Sequence, residues 1–555
     1  MSHGSTTPPE STPAPADSAN TPDDGALAGG GLPRRDFLRV AGAGAGMLLV
    51  GGPRSAGGDT VPGIRSAPYI RSGASPDIVV IGAGAWGSFT ALNLRKMGAN
   101  VTLVDSYGPG NARSTSGDET RGVRSSYGDK TGQLGELWML WAREAIKRWI
   151  AFDDEWGREF RLNLFHTTGD LIMRAEWDNF QLRTKVWWDK NKIPYEILNP
   201  SDVRKAFPVI SMDDITAVLY EPDAGVVRAR RAAQTAAAVF EKLGGRIVIG
   251  RATPSKVANG RLEEVTLDTG FTLRADRFVF AVGPWLGKTF PDILAKKTRV
   301  PIGYVVYFAT PVNDHRFTFP NLPSYNFPGV TGWPALPVDN RGFRVRGTER
   351  APTPPGSAAD STGRGGGGRG AGADSTGRGG RGAAPDSTGR GGRGAAADST
   401  GRGGRGGGGG RGGGRGGQQA DVPPQQQDPD TSDRWADATR VDGSRRFIAR
   451  RFPALKDAPV AQTHACHYES TSSGNFIIDI HPAMSNAWIV AGGNAEGFKF
   501  SPVVGEYAAQ RVMGIEGDPA IAKGFRIPER EYEPPPQPTD STGRGAAPSR
   551  QPPPV

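Results

Sequence analysis

Apolar and polar positions alternate into a strand, turn, helix and strand over Pro76–Asp105, PDIVVIGAGAWGSFTALNLRKMGANVTLVD. Ile78–Ile81 is a short continuous apolar run, as expected of a strand buried on both faces. Ala85 to Met97 predicts an amphipathic helix, and Val101–Val104 a second strand that ends in Asp105. Downstream, Leu134, Leu137, Trp138, Trp141, Ala145 and Trp149 recur at three- and four-residue spacing. This predicts a helix over 131–156 with its tryptophans in the core. Leu164–Met173 reads as strand and Trp177–Lys192 as helix. Glu221–Gly250 reads as a second βαβ-like element, with a DAG turn, a helix over Ala229–Leu243, a Gly-Gly stop and a strand at Arg246–Ile249. Further strands are predicted at Leu262–Leu267, Arg277–Ala281, Val300–Phe308, Gly342–Arg346, Asn475–Asp479 and Ala487–Ala491, and a C-terminal helix over Gly505–Val512.

The turn after the first strand carries the first candidate chemistry. Gly82, Gly84 and Gly87, with Ala85 and Trp86 between the last two, fit G-x-G-x-x-G. The first glycine permits the tight turn, the second lets backbone approach a pyrophosphate, and the third lets helix and strand pack closely. The following helix aims its free N–H groups and positive dipole end at the phosphates. Asp105 stands where a carboxylate accepts hydrogen bonds from ribose hydroxyls. A βαβ unit with nothing bound would leave Asp105 unexplained. The polar loop after it, with Arg113, Arg121 and Arg124, is of the kind that lines a site.

Composition changes the picture at the two ends and in the middle of the 555 residues. Gly (80) and Pro (46) are concentrated in segments that cannot build a core. Residues 1–32 are expected to be disordered. In 33–58, Arg34 and Arg35 followed by Phe37 and Leu38 resemble a twin-arginine export signal, with a mildly apolar run too short to span a bilayer. This points to a periplasmic or secreted protein without a transmembrane anchor. In 351–427 the unit DSTGRGGRGAA recurs from Asp360, Asp374, Asp386 and Asp398, and a remnant begins at Asp540. Ten Arg against four Asp between Asp360 and Gly417 supply +6 of the net +10, so the basic balance belongs to this insert rather than to a folded surface. Without interleaved aromatics the insert is read as a flexible or surface-adhesive loop, with no specific nucleic acid expected. The alternative is polyanion binding through its arginines. The tail over 528–555 is expected to be disordered. The single cysteine, Cys466, excludes an intramolecular disulfide framework and any multi-cysteine metal site, and no metal is expected.

Two blocks carry a family resemblance: ACHYESTSSGNFIIDIHPAMSNAWIVAGGNAEGFKFSPVVGE and GDETRGVRSSYGD. With YEPDAGVV and the DPDT at Asp428–Thr431, they resemble the glycine/D-amino-acid oxidase superfamily of flavoproteins, within it the monomeric sarcosine oxidase and N-methyl-amino-acid oxidase group. The resemblance runs from about Pro76 to Met513 without the insert. It implies an α/β (α+β) fold, with a Rossmann-like FAD-binding domain interleaved with a mostly antiparallel-sheet substrate domain. The expected FAD-binding segments are 76–130, 221–295 and 474–515. The expected substrate-domain segments are 131–220, 296–350 and 428–473. A ligand crevice is expected between them.

The resemblance also assigns residues. Cys466 matches the cysteine that holds FAD through a thioether, and a thiol among His464, His467 and Tyr468 could reach the thiolate such a bond needs. The other reading is a small buried residue. Arg121 is placed beside the flavin, and Gly493 and Phe498 in the loop approaching it. Arg124 and Lys499 match two cations that hold a substrate carboxylate, through a planar fork and a point charge. Tyr127 and Tyr468 match positions near the substrate. His464, His467 and His481 read as structural. Two departures stand out: an extra Glu119 in the GDETR loop, and Arg344 in Gly342-Phe343-Arg344 where the family has an oxygen-activating lysine. Arginine keeps the charge but not the lysine's ability to give up a proton. The function implied is oxidation of a secondary or N-methyl amino acid, its amine bound neutral, by hydride transfer to flavin N5, imine hydrolysis and reoxidation by O2 giving H2O2, by a monomer. The alternatives are a dehydrogenase with another electron acceptor, or a flavoprotein scaffold that binds polyanions through the insert.

Overall fold

The computed structural model describes residues 61–65, 75–130, 134–161, 163–338, 341–349 and 428–532. The expectations for 1–32, 33–58, the 351–427 insert and tail residues 533–555 lie outside the described residues.

The first apolar run becomes the strand Asp77–Ile81 at the centre of a six-stranded sheet. It pairs in parallel with Asn100–Asp105 on one side and Arg277–Phe280 on the other. Arg246–Ile249 and Met484–Ala491 extend the sheet in parallel, and Ile477–His481 closes one edge antiparallel. Side chains leave a strand alternately to its two faces. Ile78 and Val80 therefore join the helical side of the core, while Val79 and Ile81 pack toward the antiparallel meander Ala252–Ala258, Arg261–Leu267 and Thr272–Arg274. On the helical side, Ala85–Lys96 lies against Ala229–Lys242 and Ser501–Val512. Gly505 permits the second approach, because a Cβ there would meet the Phe89 backbone at 2.7 Å.

A second, eight-stranded sheet runs in the order Val460–His467, Ile302–Phe308, Phe343–Arg346, Val330–Trp333, Ser324–Phe327, Asp170–Arg174, Ala217–Glu221 and Glu196–Ile197. All neighbours are antiparallel except Ser324–Phe327 with Asp170–Arg174. One face of its middle strand, Phe343 and Val345, is buried, and Phe343 packs with Phe317, Tyr325 and Phe452. The opposite face presents Arg344 and Arg346. The chain is thus a mixed α/β protein in which a largely parallel sheet and a largely antiparallel one alternate along the sequence.

One sequence expectation is corrected here. Glu221–Gly250 is not a βαβ unit of the parallel sheet. Its first strand, Gly225–Arg228, pairs antiparallel with Thr120–Val123 and Phe165–His166, and only Arg246–Ile249 joins the parallel sheet. Local pattern fixes a strand's extent, but its partner is a non-local choice. Helix Ala438–Arg451 was not anticipated, because ATRVDGSRRFIARR is mostly polar; Phe447 and Ile448 supply most of its apolar buried surface.

The tryptophan helix is Gly135–Phe152, continued by a wider turn over Asp153–Gly157. Trp138, Trp141 and Trp149 are buried, as the spacing implied. Trp149 stacks on Phe498 at 5.8 Å and donates its indole N–H to the Lys499 carbonyl at 2.8 Å, so the helix pins the GFKF segment from behind. Trp149→Ala should cost about 3–5 kcal/mol in urea unfolding. Trp149→Phe, which keeps most of the packing, should cost about 1 kcal/mol for the lost hydrogen bond.

Candidate active site

A cavity of about 870 Å³ runs from the end of the first strand to the face of the eight-stranded sheet. At its narrow start Gly82 has φ +102° and turns the chain so tightly that a Cβ would collide with the Ala281 carbonyl. A Cβ on Gly87 would collide with the Gly82 carbonyl, which is the close packing expected of the third glycine. Gly82, Gly84, Ala85 and Trp86 line the cavity, whereas Gly87 lies behind it. Gly84 offers the helix no side-chain cap, and Ser116 accepts the Ala85 N–H at 2.9 Å instead. Asp105 also lines the cavity, but its carboxylate is partly spent on its own turn. It accepts from Ala83 N at 2.8 Å, Tyr107 N at 2.8 Å and Gly108 N at 2.9 Å.

Arg113 lies outside the cavity wall. It donates to the Asp430 carbonyl at 2.7 Å and to the Tyr107 hydroxyl at 3.2 Å. Sequence reading missed its partner. The Asp430 carboxylate accepts from Trp285 at 2.8 Å, Lys288 at 2.6 Å and Arg251 at 3.2 Å. Although burial opposes its charge, these donors bring its pKa down to about 2. The DPDT stretch is thereby tied across the cavity beside Arg251 and Lys288.

Beyond the glycine turn, the half-buried Cys466 thiol lies 3.2 Å from Arg121 and 3.8 Å from the Thr115 carbonyl. Burial pushes the thiol pKa up, and the pull of Arg121 does not reverse the direction. Removing the sulfur from water outweighs the neighbouring cations, so the site as it stands favours the thiol over the thiolate. Arg121 is paired with Asp118, which also accepts from Tyr307 at 3.1 Å and lies 3.5 Å from Arg344. Burial works against the Asp118 charge, yet Arg121, His464 and Arg344 hold its carboxyl well below the usual range. Arg344 is 1% exposed and stacked 3.8 Å from the Trp333 ring centre. Its Nε and Nη1 have no hydrogen-bond partner. Asp118 was not singled out from sequence, though it lies three residues before Arg121; Arg346, two residues after Arg344 on the same strand, is the other arginine that can match the family's lysine.

Glu119, the extra loop residue, is accommodated away from the cavity; its carboxylate is 3.6 Å from Arg341 and its backbone carbonyl accepts from Ala229. The three named histidines bear out no single role. His467 contacts Ser432, His464 is buried in the strand before Cys466, and His481 packs on Phe290.

At the far end, Arg124, Tyr127, Phe498 and Lys499 line the wall together, with Tyr468 and Gly493 nearer Cys466. Arg124 makes no hydrogen bond among the described residues; its nearest carboxylate oxygen, on Asp170, is 3.8 Å away. Lys499 donates to the Tyr127 hydroxyl at 2.6 Å and to Glu496 at 3.2 Å. Burial pulls the Lys499 ammonium down to about 8, with Arg124 adding to the effect and Glu496 opposing it.

The wall fits FAD. Two glycines without Cβ atoms let the turn close tightly against Ala281 and the helix start close to it, and another wall holds a buried guanidinium with two orphaned donors. Such orphans are costly unless a bound group accepts from them. A mononucleotide pocket would not need a cavity this long, nor a cysteine and three arginines (Arg121, Arg344 and Arg346) beyond the glycine turn.

Comparison with known proteins agrees with this geometry. The FAD dependent oxidoreductase (DAO) family matches residues 77–511. The chain belongs to that family and is an FAD-dependent oxidoreductase. It is 22% identical to monomeric sarcosine oxidase of an Arthrobacter species over 440 residues, covering 78% of this chain and 91% of the relative. It is 25% identical to N-methyl-L-tryptophan oxidase of Yersinia pestis over 224 residues, 40% of this chain and 57% of that protein. In fold it resembles fructosyl amine:oxygen oxidoreductase (Amadoriase I) of Aspergillus fumigatus, with a TM-score of 0.58 and 18% identity over 83% of this chain and 91% of the other. L-proline dehydrogenase of P. horikoshii also gives a TM-score of 0.58, with 16% identity over 82% and 97%. Among the described residues no helix is long and apolar enough to cross a membrane, and no group of three or more His, Cys, Asp or Glu is placed to hold a metal.

The Lys499 environment sets a pH dependence. An ammonium with a lowered pKa is charged below about pH 8 and loses that charge as pH rises through it. The Kd of a carboxylate ligand, followed by perturbation of the flavin spectrum, should be flat below about pH 8 and rise above it. In Lys499→Met the rise in that range should disappear.

Proposed function

We propose that this enzyme oxidises the C–N bond of a secondary or N-methyl amino acid. The carrying observation is Arg124, a guanidinium in the cavity wall without a hydrogen bond among the described residues, beside a lysine with a lowered pKa. An unspent planar fork in a concave site is a carboxylate holder. Lys499 stands in the same wall with its ammonium on the Tyr127 hydroxyl and on Glu496. Phe498, Trp333 and Tyr127 exclude water from the bound amine. FAD, when bound, supplies the hydride acceptor, and O2 giving H2O2 is the proposed final oxidant. The imine product hydrolyses once water is readmitted. The names of the related sarcosine, N-methyl-L-tryptophan and fructosyl amine oxidases support a secondary amine as substrate.

The acceptor has a second reading. Arg344 is locked between Trp333 and Asp118, and arginine in general does not serve as a proton donor in the way a lysine can. This favours a dehydrogenase that passes electrons to another carrier. Cys466, beside Arg121, is proposed to hold the flavin covalently. The twin-arginine stretch supports export of the folded holoenzyme.

The test is an absorbance spectrum before and after acid precipitation, then anaerobic addition of N-methyl and cyclic amino acids. The expected result is yellow colour in the precipitate and bleaching by one of the amines. Protein that cannot be loaded with FAD, or that no amino acid bleaches, overturns the reading. Reoxidation in air with stoichiometric H2O2 identifies an oxidase; slow reoxidation in air with fast reduction of a quinone or dye identifies a dehydrogenase. Arg124→Ala should raise KM by about 10- to 100-fold, the loss of one charged hydrogen-bond partner, at unchanged flavin content.

A further inference from the structure

The two-cation clamp is not what the structure presents. Glu496, which the sequence reading did not single out, is in the cavity wall with about a third of its side chain exposed there. Its carboxylate lies 3.2 Å from Lys499 Nζ, which also donates to the Tyr127 hydroxyl. The site therefore contains at Arg124 a guanidinium that makes no hydrogen bond among the described residues and is loosely paired with Asp170, and, beside it, an ammonium already matched by a carboxylate.

The backbone shows that Glu496 is deliberately placed. The two residues before it, Asn494 and Ala495, have φ of +47° and +65°, a region L-residues other than asparagine rarely enter. Such conformations persist where the surroundings hold them, and they gather at functional sites. Here the holders are explicit. Asn494 Nδ2 donates to the Gly492 carbonyl at 2.6 Å and the Asn475 carbonyl at 3.0 Å, and its Oδ1 accepts from Thr471 N at 2.9 Å. The buried Glu469 accepts the Gly493 N–H at 3.1 Å. These bonds fix the turn that carries Glu496 into the cavity.

Resting on the proposed function, we propose that Glu496 is a specificity-determining residue that receives the positively charged nitrogen of a zwitterionic substrate while Arg124 receives its carboxylate. The surrounding charges agree. Lys499, Lys130 and Arg124 all attract the Glu496 carboxylate, while Asp129 and Asp170 lie among the same cations. A site so balanced accepts a molecule with both charges; a bare carboxylate would bring a second anion toward Glu496 with nothing to offset it. The amine is therefore first bound as its ammonium rather than neutral, and acids without a cationic nitrogen are excluded.

An isosteric pair tests this on the holoenzyme. Betaine carries a permanent cation, and 3,3-dimethylbutanoate has the same shape without it. Both are unreactive ligands whose Kd can be read from the flavin spectrum. Betaine should bind about tenfold or more tightly in the natural enzyme, as for a charged contact. In Glu496→Gln the preference should fall toward one, and Glu496→Asp should restore part of it. Equal or tighter binding of the neutral-tailed acid by the natural enzyme overturns the proposal, as does a preference unchanged in Glu496→Gln at normal flavin content. Should Glu496→Gln not fold, the comparison in the natural enzyme and in Glu496→Asp decides alone. Failure here is distinct from failure of the proposed function: the first leaves an enzyme that amines still reduce, the second one that no amine reduces.

Discussion

The buried carboxylate of Asp118 is the interaction on which the rest of the site depends. Three guanidiniums, Arg121, Arg344 and Arg346, stand around Cys466, and taking such charges out of water is costly unless they are paired or bonded. Asp118 answers two of them and accepts from Tyr307 besides. Because Arg121 belongs to the strand Thr120–Val123 and Arg344 and Tyr307 to the eight-stranded sheet, one carboxylate fixes that strand against the sheet. Without it the cations would repel each other and the wall could not close.

What Asp118 leaves unpaired is as informative. Arg344 keeps two orphaned donors, and Arg346 is a half-buried cation whose pKa is drawn down by desolvation, with neighbouring arginines working in the same direction. A wall with surplus positive charge is suited to an electron-accepting ring that gains negative charge on reduction. The far end differs: there Lys499 and Glu496 match one another, and Arg124 is only loosely paired with Asp170. One cavity thus has a strongly cationic stretch around Cys466 and a far end in which cations and carboxylates face one another.

Packing holds these two regions in register. Trp149 reaches from the helical layer to the Lys499 carbonyl, and Trp86 donates to the Gly497 carbonyl at 2.8 Å. The GFKF turn is therefore gripped by one indole from the helix that starts at the glycine turn and by another from the tryptophan helix. Cofactor end and substrate end share a rigid connection through aromatic side chains, which transmit position well because close-packed cores yield little.

The sequence by itself determined the elements with strong local signals. The glycine turn with its strand, helix and Asp105 follows from steric limits that act within a few residues, and the tryptophan spacing from helical periodicity. The resemblance, carried by blocks such as GDETRGVRSSYGD and GNAEGFKFS, brought Arg121, Arg124, Tyr127, Cys466 and Lys499 into one list, and they line one cavity. Tertiary structure alone decided which strand pairs with which, so that Gly225–Arg228 left the parallel sheet, and it alone gave the polar helix Ala438–Arg451 a buried side around Phe447 and Ile448. It also decided charge. Whether Arg113 faces a cofactor or a carbonyl, whether Cys466 is a thiol, and whether Lys499 stands alone or against Glu496 are set by groups distant in sequence. Coulombic balance and desolvation depend on distance in space, and no local pattern encodes that.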